Sequence, residues 1–158
     1  MRKPFPGRRL AGTFTAMRIE DVLRRKGTAV VTIEPSATVQ QLVELLGTNN
    51  IGAVVVSTDG RHIDGIVSER DIVRHLASDG ADVLFRPVSD IMTAEVRTCT
   101  AADTIEETAH TMTYARIRHL PVTENEELTA IVSIGDVVKY RIDQLLDERN
   151  HLLGYLHA

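Results

Sequence analysis

Residues 30–73 read VVTIEPSATVQQLVELLGTNNIGAVVVSTDGRHIDGIVSERDIV, and residues 96–138 read VRTCTAADTIEETAHTMTYARIRHLPVTENEELTAIVSIGDVV. Laid one over the other, Val30 meets Val96, Thr32 meets Thr98, Thr38 meets Thr104 and Ile51 meets Ile117. Further on, Val56 meets Val122, Ser68 meets Ser133 and Asp71 meets Asp136. A repeat offset by about 65 residues is one structural unit used twice, each copy covering apolar surface of the other. The duplication sets the architecture and gives two equivalent places to look for a site.

Each copy has the same internal order. An extended run (Val30–Ile33, Val96–Cys99) leads into a helix with one apolar stripe. The stripe is Val39, Leu42, Val43 and Leu46 in the first copy, and Ile105, Ala109 and Met112 in the second. Thr38 and Thr104 are placed to cap these helices, with Gln41 and Glu107 three residues on to close capping boxes. Two strands follow, Gly52–Val56 with Ile63–Val67 and His119–Val122 with Leu128–Val132. They are joined by polar turns at Asp59-Gly60 and Glu124-Asn125. A second helix starts near Ser68 or Ser133, and a short helix precedes each copy, Ile19–Lys26 and Val88–Met92.

The domain boundaries read from this order are a flexible basic arm over 1–16, a first repeat over 17–78 and a linker over 79–86. A second repeat follows over 87–142, then a helical extension over 143–158. The arm (Arg2, Lys3, Arg8, Arg9) lacks the apolar stretch of a signal peptide. The extension carries Val137, Val138, Ile142, Leu145, Leu146, Leu152 and Leu153. It covers either its own domain or a second copy in a homodimer.

Composition narrows the function classes. With no Trp and 4% aromatics, the core must be aliphatic. A net charge of −4 gives no global basic field to hold nucleic acid. The single Cys99 builds neither a disulfide nor a thiolate zinc site and suits a reducing, cytoplasmic setting; it reads as a small core residue. No apolar run is long enough for a membrane span, so no membrane partner is expected. The six His residues show no pair at metal-ligand spacing with a supporting carboxylate. No phosphate-cradling Gly-rich loop occurs, and no His is placed to activate Ser68 or Ser133 as a nucleophile.

Two segments remain with chemical promise, Gly65-Ile66-Val67-Ser68-Glu69-Arg70-Asp71 and Ala130-Ile131-Val132-Ser133-Ile134-Gly135-Asp136. Both run from a strand into a helix, where unpaired N–H groups and the dipole favour an anion. The Asp one turn on can accept two hydrogen bonds at once, as the vicinal hydroxyls of a ribose require. The same pattern is equally an N-cap with an acidic third helical residue.

With its two Ser-x-x-Asp turns, Val30-Val31-Thr32 and Arg118-His119-Leu120-Pro121-Val122, the repeat resembles a tandem pair of cystathionine-β-synthase-type (CBS) domains, a Bateman module, over roughly residues 17–142. The resemblance implies an α/β fold, two CBS-type β-α-β-β-α repeats packed about a pseudo-twofold axis. It also implies clefts for adenosine compounds: AMP, ADP, ATP, NAD or S-adenosylmethionine. On that analogy Asp71 and Asp136 hold ribose hydroxyls, and Ser68 and Ser133 lie near ribose or phosphate. Thr32 and Thr98 line the adenine pocket. Ile51, Gly52, Ala53 and Val54 form the opposite wall in one copy, and Arg118, His119, Leu120, Pro121 and Val122 in the other.

The copies differ. Arg116, Arg118 and His119 precede the strand of the second, where the first has Asn50, Gly52 and Ala53, and Pro121 has no counterpart. Phosphate-binding capacity is therefore expected to be unequal, although Arg118 and His119 can serve either cleft if the clefts face each other. Arg70, Arg74 and Lys139 are further phosphate candidates or ordinary solvated helix residues. The expected function is a non-enzymatic, stand-alone regulatory and signal-transduction module. It would bind an adenine nucleotide as regulatory ligand, use no catalytic cofactor, form a homodimer and report to an effector protein. The alternative is a ligand-free dimerisation or assembly module.

Overall fold

The structure, a computed structural model, describes residues 16–156. The basic arm is thus outside the described residues apart from Ala16. The first copy comprises α1 (Ile19–Lys26), β1 (Thr32–Ile33), α2 (Val39–Asn49), β2 (Ala53–Val56), β3 (Gly65–Ser68) and α3 (Glu69–Asp79). After two 3₁₀ stretches, Gly80–Phe85 and Val88–Asp90, come α4 (Ile105–Ala115), β4 (His119–Glu124), β5 (Glu127–Ser133) and α5 (Ile134–Leu156). Among the described residues no helix is long and apolar enough to cross a membrane.

Both expected capping boxes form. Thr38 Oγ1 accepts the Gln41 N–H at 3.2 Å while Gln41 Oε1 accepts the Thr38 N–H at 2.9 Å. Thr104 and Glu107 repeat the exchange at 3.2 and 3.1 Å. Each box satisfies two donors that a helix start otherwise leaves orphaned.

β2 lies between β1, which it pairs in parallel, and β3, which it pairs antiparallel. The second copy has only the antiparallel pair β4–β5, so the extended run expected over Val96–Cys99 is not a strand. It touches β4 through one residue: the Cys99 N–H donates to Pro121 O at 3.0 Å and the Thr123 N–H to Cys99 O at 2.9 Å. Pro121 is the reason. It stands where Val55 pairs with Thr32 in the first copy, and having no N–H it cannot donate the next ladder bond. One other reading is corrected: the helix expected at Val88–Met92 is a 3₁₀ turn that stops at Asp90. The stretch read as a linker over 79–86 contains the 3₁₀ helix Gly80–Phe85, anchored by the fully buried Val83.

The two halves exchange their leading segments. Ile19, Val22 and Leu23 of α1 are buried against Cys99, Ile105, Met112, Leu120 and Val132 of the second copy. Val88 and Ile91, which lead into the second copy, are buried against Ile33, Val39, Leu42, Val54 and Val67 of the first. The main-chain bonds that fix this exchange come in matched pairs. Ile19 N–H donates to Asp103 O as Val88 N–H does to Ala37 O; Ile105 N–H donates to Met17 O as Val39 N–H does to Arg86 O. That correspondence is the pseudo-twofold axis written in hydrogen bonds.

At one place the exchange closes on bare backbone. Thr93 and Ile66 trade N–H···O bonds at 2.9 and 3.0 Å. Beside them a Cβ on Gly65 would stand 2.6 Å from Met92 Sδ and 3.0 Å from Thr93 O. Only glycine fits there without displacement.

Candidate functional site

The Ser-x-x-Asp turns sit where a strand delivers the chain into a helix. The first amide of α3, Glu69 N–H, donates to Gly52 O at 3.0 Å, and the first of α5, Ile134 N–H, to Arg118 O at 2.8 Å. These bonds hold the start of β2 beside the mouth of α3, and the start of β4 beside that of α5. The two strand starts in turn face each other: a Cβ on Gly52 would lie 3.7 Å from His119 Cε1.

The two turns are not built alike. Asp71 Oδ2 accepts both the Ser68 N–H and the Ser68 hydroxyl, each at 2.8 Å. In the second copy Asp136 Oδ2 accepts the Ser133 N–H at 2.8 Å, while Ser133 Oγ accepts the Asp136 N–H at 3.1 Å, a complete capping box. A second donor reaches Asp136 from far away in sequence: Lys26 Nζ stands 2.5 Å from Oδ2 and 2.8 Å from Ile131 O. Burial alone would raise the Asp136 pKa, but the Lys26 and Ser133 donors outweigh it and hold the carboxyl below its usual value.

A cleft of about 510 Å³ opens at the Asp71 turn. The first copy contributes Gly52, Ala53, Ile66, Ser68, Glu69, Arg70, Asp71 and Arg74 to it. The crossing segment adds Thr93, Glu95, Val96 and Arg97, and the second copy adds Ala115–His119. Five arginines, Arg70, Arg74, Arg97, Arg116 and Arg118, therefore line one cleft. None of the five makes a side-chain hydrogen bond or ion pair with a described residue. Glu69, Asp71 and Glu95 line the cleft too and offset part of their charge, leaving an excess that favours an anion.

The cations of the second copy thus converge on the Ser-x-x-Asp turn of the first. His119 is not one of them at neutral pH: burial first, and then the charge of Lys26, lower its pKa. It is a neutral ring at the junction of the halves. Arg116 ends α4 with φ +54°, the left-handed cap that Asn50 supplies for α2 at φ +51°. Asn adopts that conformation readily and Arg does not.

Of the residues singled out in the sequence, Gly52, Ala53, Ser68, Arg70, Asp71, Arg116, Arg118 and His119 meet in this cleft. Val54, Leu120 and Pro121 are buried in the strands, and Thr32 and Ile51 are half-buried beside them, outside the cleft lining. Thr98 is exposed one residue past Arg97 and does not line the cleft, while Ser133 and Asp136 belong to the opposite turn with Lys26. Arg97, Glu95 and Lys26 were not singled out. Arg97 leaves a trace in the alignment, where it stands over Val31. Lys26 leaves none, because its partner is 110 residues away. Cys99 is buried and its thiol is pushed up to about 12 by burial and by Asp103, which keeps it a protonated core residue. Among the described residues no cluster of His, Cys, Asp and Glu is arranged to hold a metal ion.

Two interlocked α/β repeats with paired strand-to-helix turns define a tandem α/β-repeat module. The chain matches the CBS domain family model over residues 19–78 and 88–143 and belongs to that family. It is 31% identical over 161 residues to the mitochondrial CBS domain-containing protein CBSX3 of Arabidopsis thaliana, covering 97% of this chain and 78% of that one. The crystal structure of a CBS-domain protein from Agrobacterium tumefaciens superposes with a TM-score of 0.77 at 43% identity, covering 79% of this chain and 99% of that one. A CBS domain protein from Pyrobaculum aerophilum, solved in complex with AMP, superposes with a TM-score of 0.68 at 28% identity, covering 76% and 89% of the two chains.

Proposed function

We propose that this protein binds a phosphorylated adenine nucleotide in the Asp71 cleft and serves as a regulatory module, not an enzyme. The observation that carries this reading is the convergence of five arginines, none with a side-chain partner among the described residues, on the cleft at the Ser68–Asp71 turn, where Asp71 Oδ1 is open to a ligand. A ribose takes the carboxylate, and phosphates take the guanidinium groups. The AMP complex of the Pyrobaculum aerophilum relative supports the ligand class. ATP and ADP suit five arginines better than AMP, and AMP or NAD better than the cationic S-adenosylmethionine.

The lining comes from both halves, so a ligand there ties α3 of one copy to β4 of the other. Its binding energy biases their relative placement to the extent that it prefers one arrangement, and a partner reads the result. The partner surface includes a second copy of the chain. α5 leaves Ile142, Leu145 and Leu152 at least half exposed, with Val138, Leu146 and Leu153 nearly so, and a helix pair buries such a stripe.

Isothermal titration with AMP, ADP, ATP, NAD and S-adenosylmethionine tests the ligand, and light scattering during size-exclusion chromatography tests the dimer. Saturable binding that weakens in the order ATP, AMP, S-adenosylmethionine is expected. No heat with any of them and an unchanged melting temperature would leave the assembly-module reading in its place.

A further inference from the structure

We infer that Lys26 keeps the Asp136 turn closed to nucleotide, so that each chain carries one ligand in the Asp71 cleft and none in the symmetry-related one. This inference rests on the Asp71 cleft being the nucleotide site.

The pseudo-twofold axis gives each half a Ser-x-x-Asp turn and one neighbouring strand, β3 or β5. In the first half the edge of β3 is sealed by main chain, with Thr93 trading bonds with Ile66, and among the described residues only Ser68 hydrogen-bonds the Asp71 carboxylate. In the second half a side chain reaches the same level. Lys26 Nζ donates to Ile131 O, on the residue matching Ile66, and goes on to Asp136 Oδ2. A ribose approaching Asp136 finds Oδ1 open but meets, on the neighbouring Oδ2, an ammonium that takes up the charge of the carboxylate and crowds the approach.

The lysine is held there by the fold. It is the last residue of α1, whose Ile19, Val22 and Leu23 are buried in the second core. Gly27, at φ +90°, turns the chain away directly after it. The Lys26 side chain is 33% exposed and that of Asp136 is 24% exposed, so the pair is partly withdrawn from solvent. Opening the turn means removing one charge from another and leaving Ile131 O without its side-chain donor. Electrostatics point the same way. Arg74 and Arg97 line the Asp71 cleft alone, whereas Arg70, Arg116 and Arg118 also line a second cleft that reaches Ile134 at the start of α5; there Asp136 is neutralised by its own lysine.

Titration with ATP decides the matter. The wild-type protein takes up one ATP per chain, and Asp71→Asn binds it about 10- to 100-fold more weakly. Lys26→Met, which keeps the aliphatic stem and the helix but has no ammonium, takes up two, and Asp136→Asn added to it weakens the second site in the same way. Two ATP per wild-type chain, a site of wild-type affinity remaining in Asp71→Asn, or a count still at one in a folded Lys26→Met protein would each overturn the inference while leaving nucleotide binding in place. Absence of ATP binding to the wild type would overturn both. The Asp71→Asn result stands without the Lys26 variant, so poor folding of Lys26→Met leaves the inference open to refutation.

Discussion

Asp71 receives both the amide and the hydroxyl of Ser68 on the same oxygen, Oδ2, at 2.8 Å each, and Oδ1 has no partner among the described residues. The carboxylate therefore caps α3 with one oxygen and offers the other to the cleft. Capping and ligand binding are separable on this geometry. Asp71→Ala is expected to lose the cap, about 1 kcal/mol of stability, and with it nucleotide binding. Asp71→Asn keeps an acceptor for the Ser68 N–H and is expected to unfold at nearly the wild-type urea concentration. Its affinity should still fall by about 10- to 100-fold, because a hydrogen bond to a charged acceptor has been lost. Wild-type affinity in Asp71→Asn would assign the residue to capping alone.

Arg116 holds a left-handed backbone that its counterpart assigns to Asn50. A long side chain in that conformation costs stability, and such costs persist where the side chain is needed. Arg116→Gly is expected to raise stability by about 0.5–1 kcal/mol and to weaken ATP binding more than adenosine binding. Chemical denaturation and titration on the same sample check both signs. A variant that gains stability and keeps its ATP affinity would remove Arg116 from the site.

The repeat, the two capping boxes and the limits of α1 were legible in the sequence because each rests on residues close together in the chain: Thr38 with Gln41, Thr104 with Glu107, and the apolar spacing of Ile19, Val22 and Leu23. The relations between halves were not. Local pattern cannot show that α1 packs on the second core, or that Arg116 and Arg118 line the same cleft as Asp71. Those facts depend on which half each leading segment crosses to. Pro121 was noticed as an asymmetry, but its consequence, a ladder that stops at Cys99, appears only once its missing N–H is set against the carbonyl it would have met. The sequence left capping and ligand binding open as readings of Ser-x-x-Asp; both turns cap their helices, and what distinguishes them is that Lys26 joins the carboxylate of Asp136 and, among the described residues, no cation joins that of Asp71.

Gly65 tests the interlock directly. Met92 Sδ and Thr93 O leave no room for a methyl group at this position. The sulfur can swing aside but the carbonyl is fixed by its bond from Ile66 N–H at 3.0 Å. Gly65→Ala is expected to cost about 1–3 kcal/mol and to loosen the crossing segment that carries Glu95–Arg97 into the cleft. Hydrogen exchange should show faster exchange at Ile66 and Thr93 than in the wild type, with the α4 amides little changed. Undiminished protection at both residues would mean that the two halves are held together elsewhere.

The Lys26–Asp136 pair sets a pH dependence whose sign follows from the carboxyl. Burial opposes its ionisation, but the ammonium and the Ser133 N–H prevail, so its pKa in the folded protein lies below the ordinary 3.8. A group depressed on folding stabilises the protein fully above its unfolded pKa and ceases to do so as pH falls through the folded value. The stability difference between wild type and Lys26→Met is therefore expected to be constant from about pH 5 to 7 and to shrink below about pH 4, as protonation of Asp136 releases the lysine. The pair is sheltered, so raising the salt concentration at neutral pH should change that difference little, unlike an exposed pair such as Arg24–Glu20. Urea unfolding of both proteins at a series of pH values measures it. A difference that persists unchanged at pH 2.5 would show that the Lys26 ammonium stabilises the fold through its bond to Ile131 O and not through Asp136.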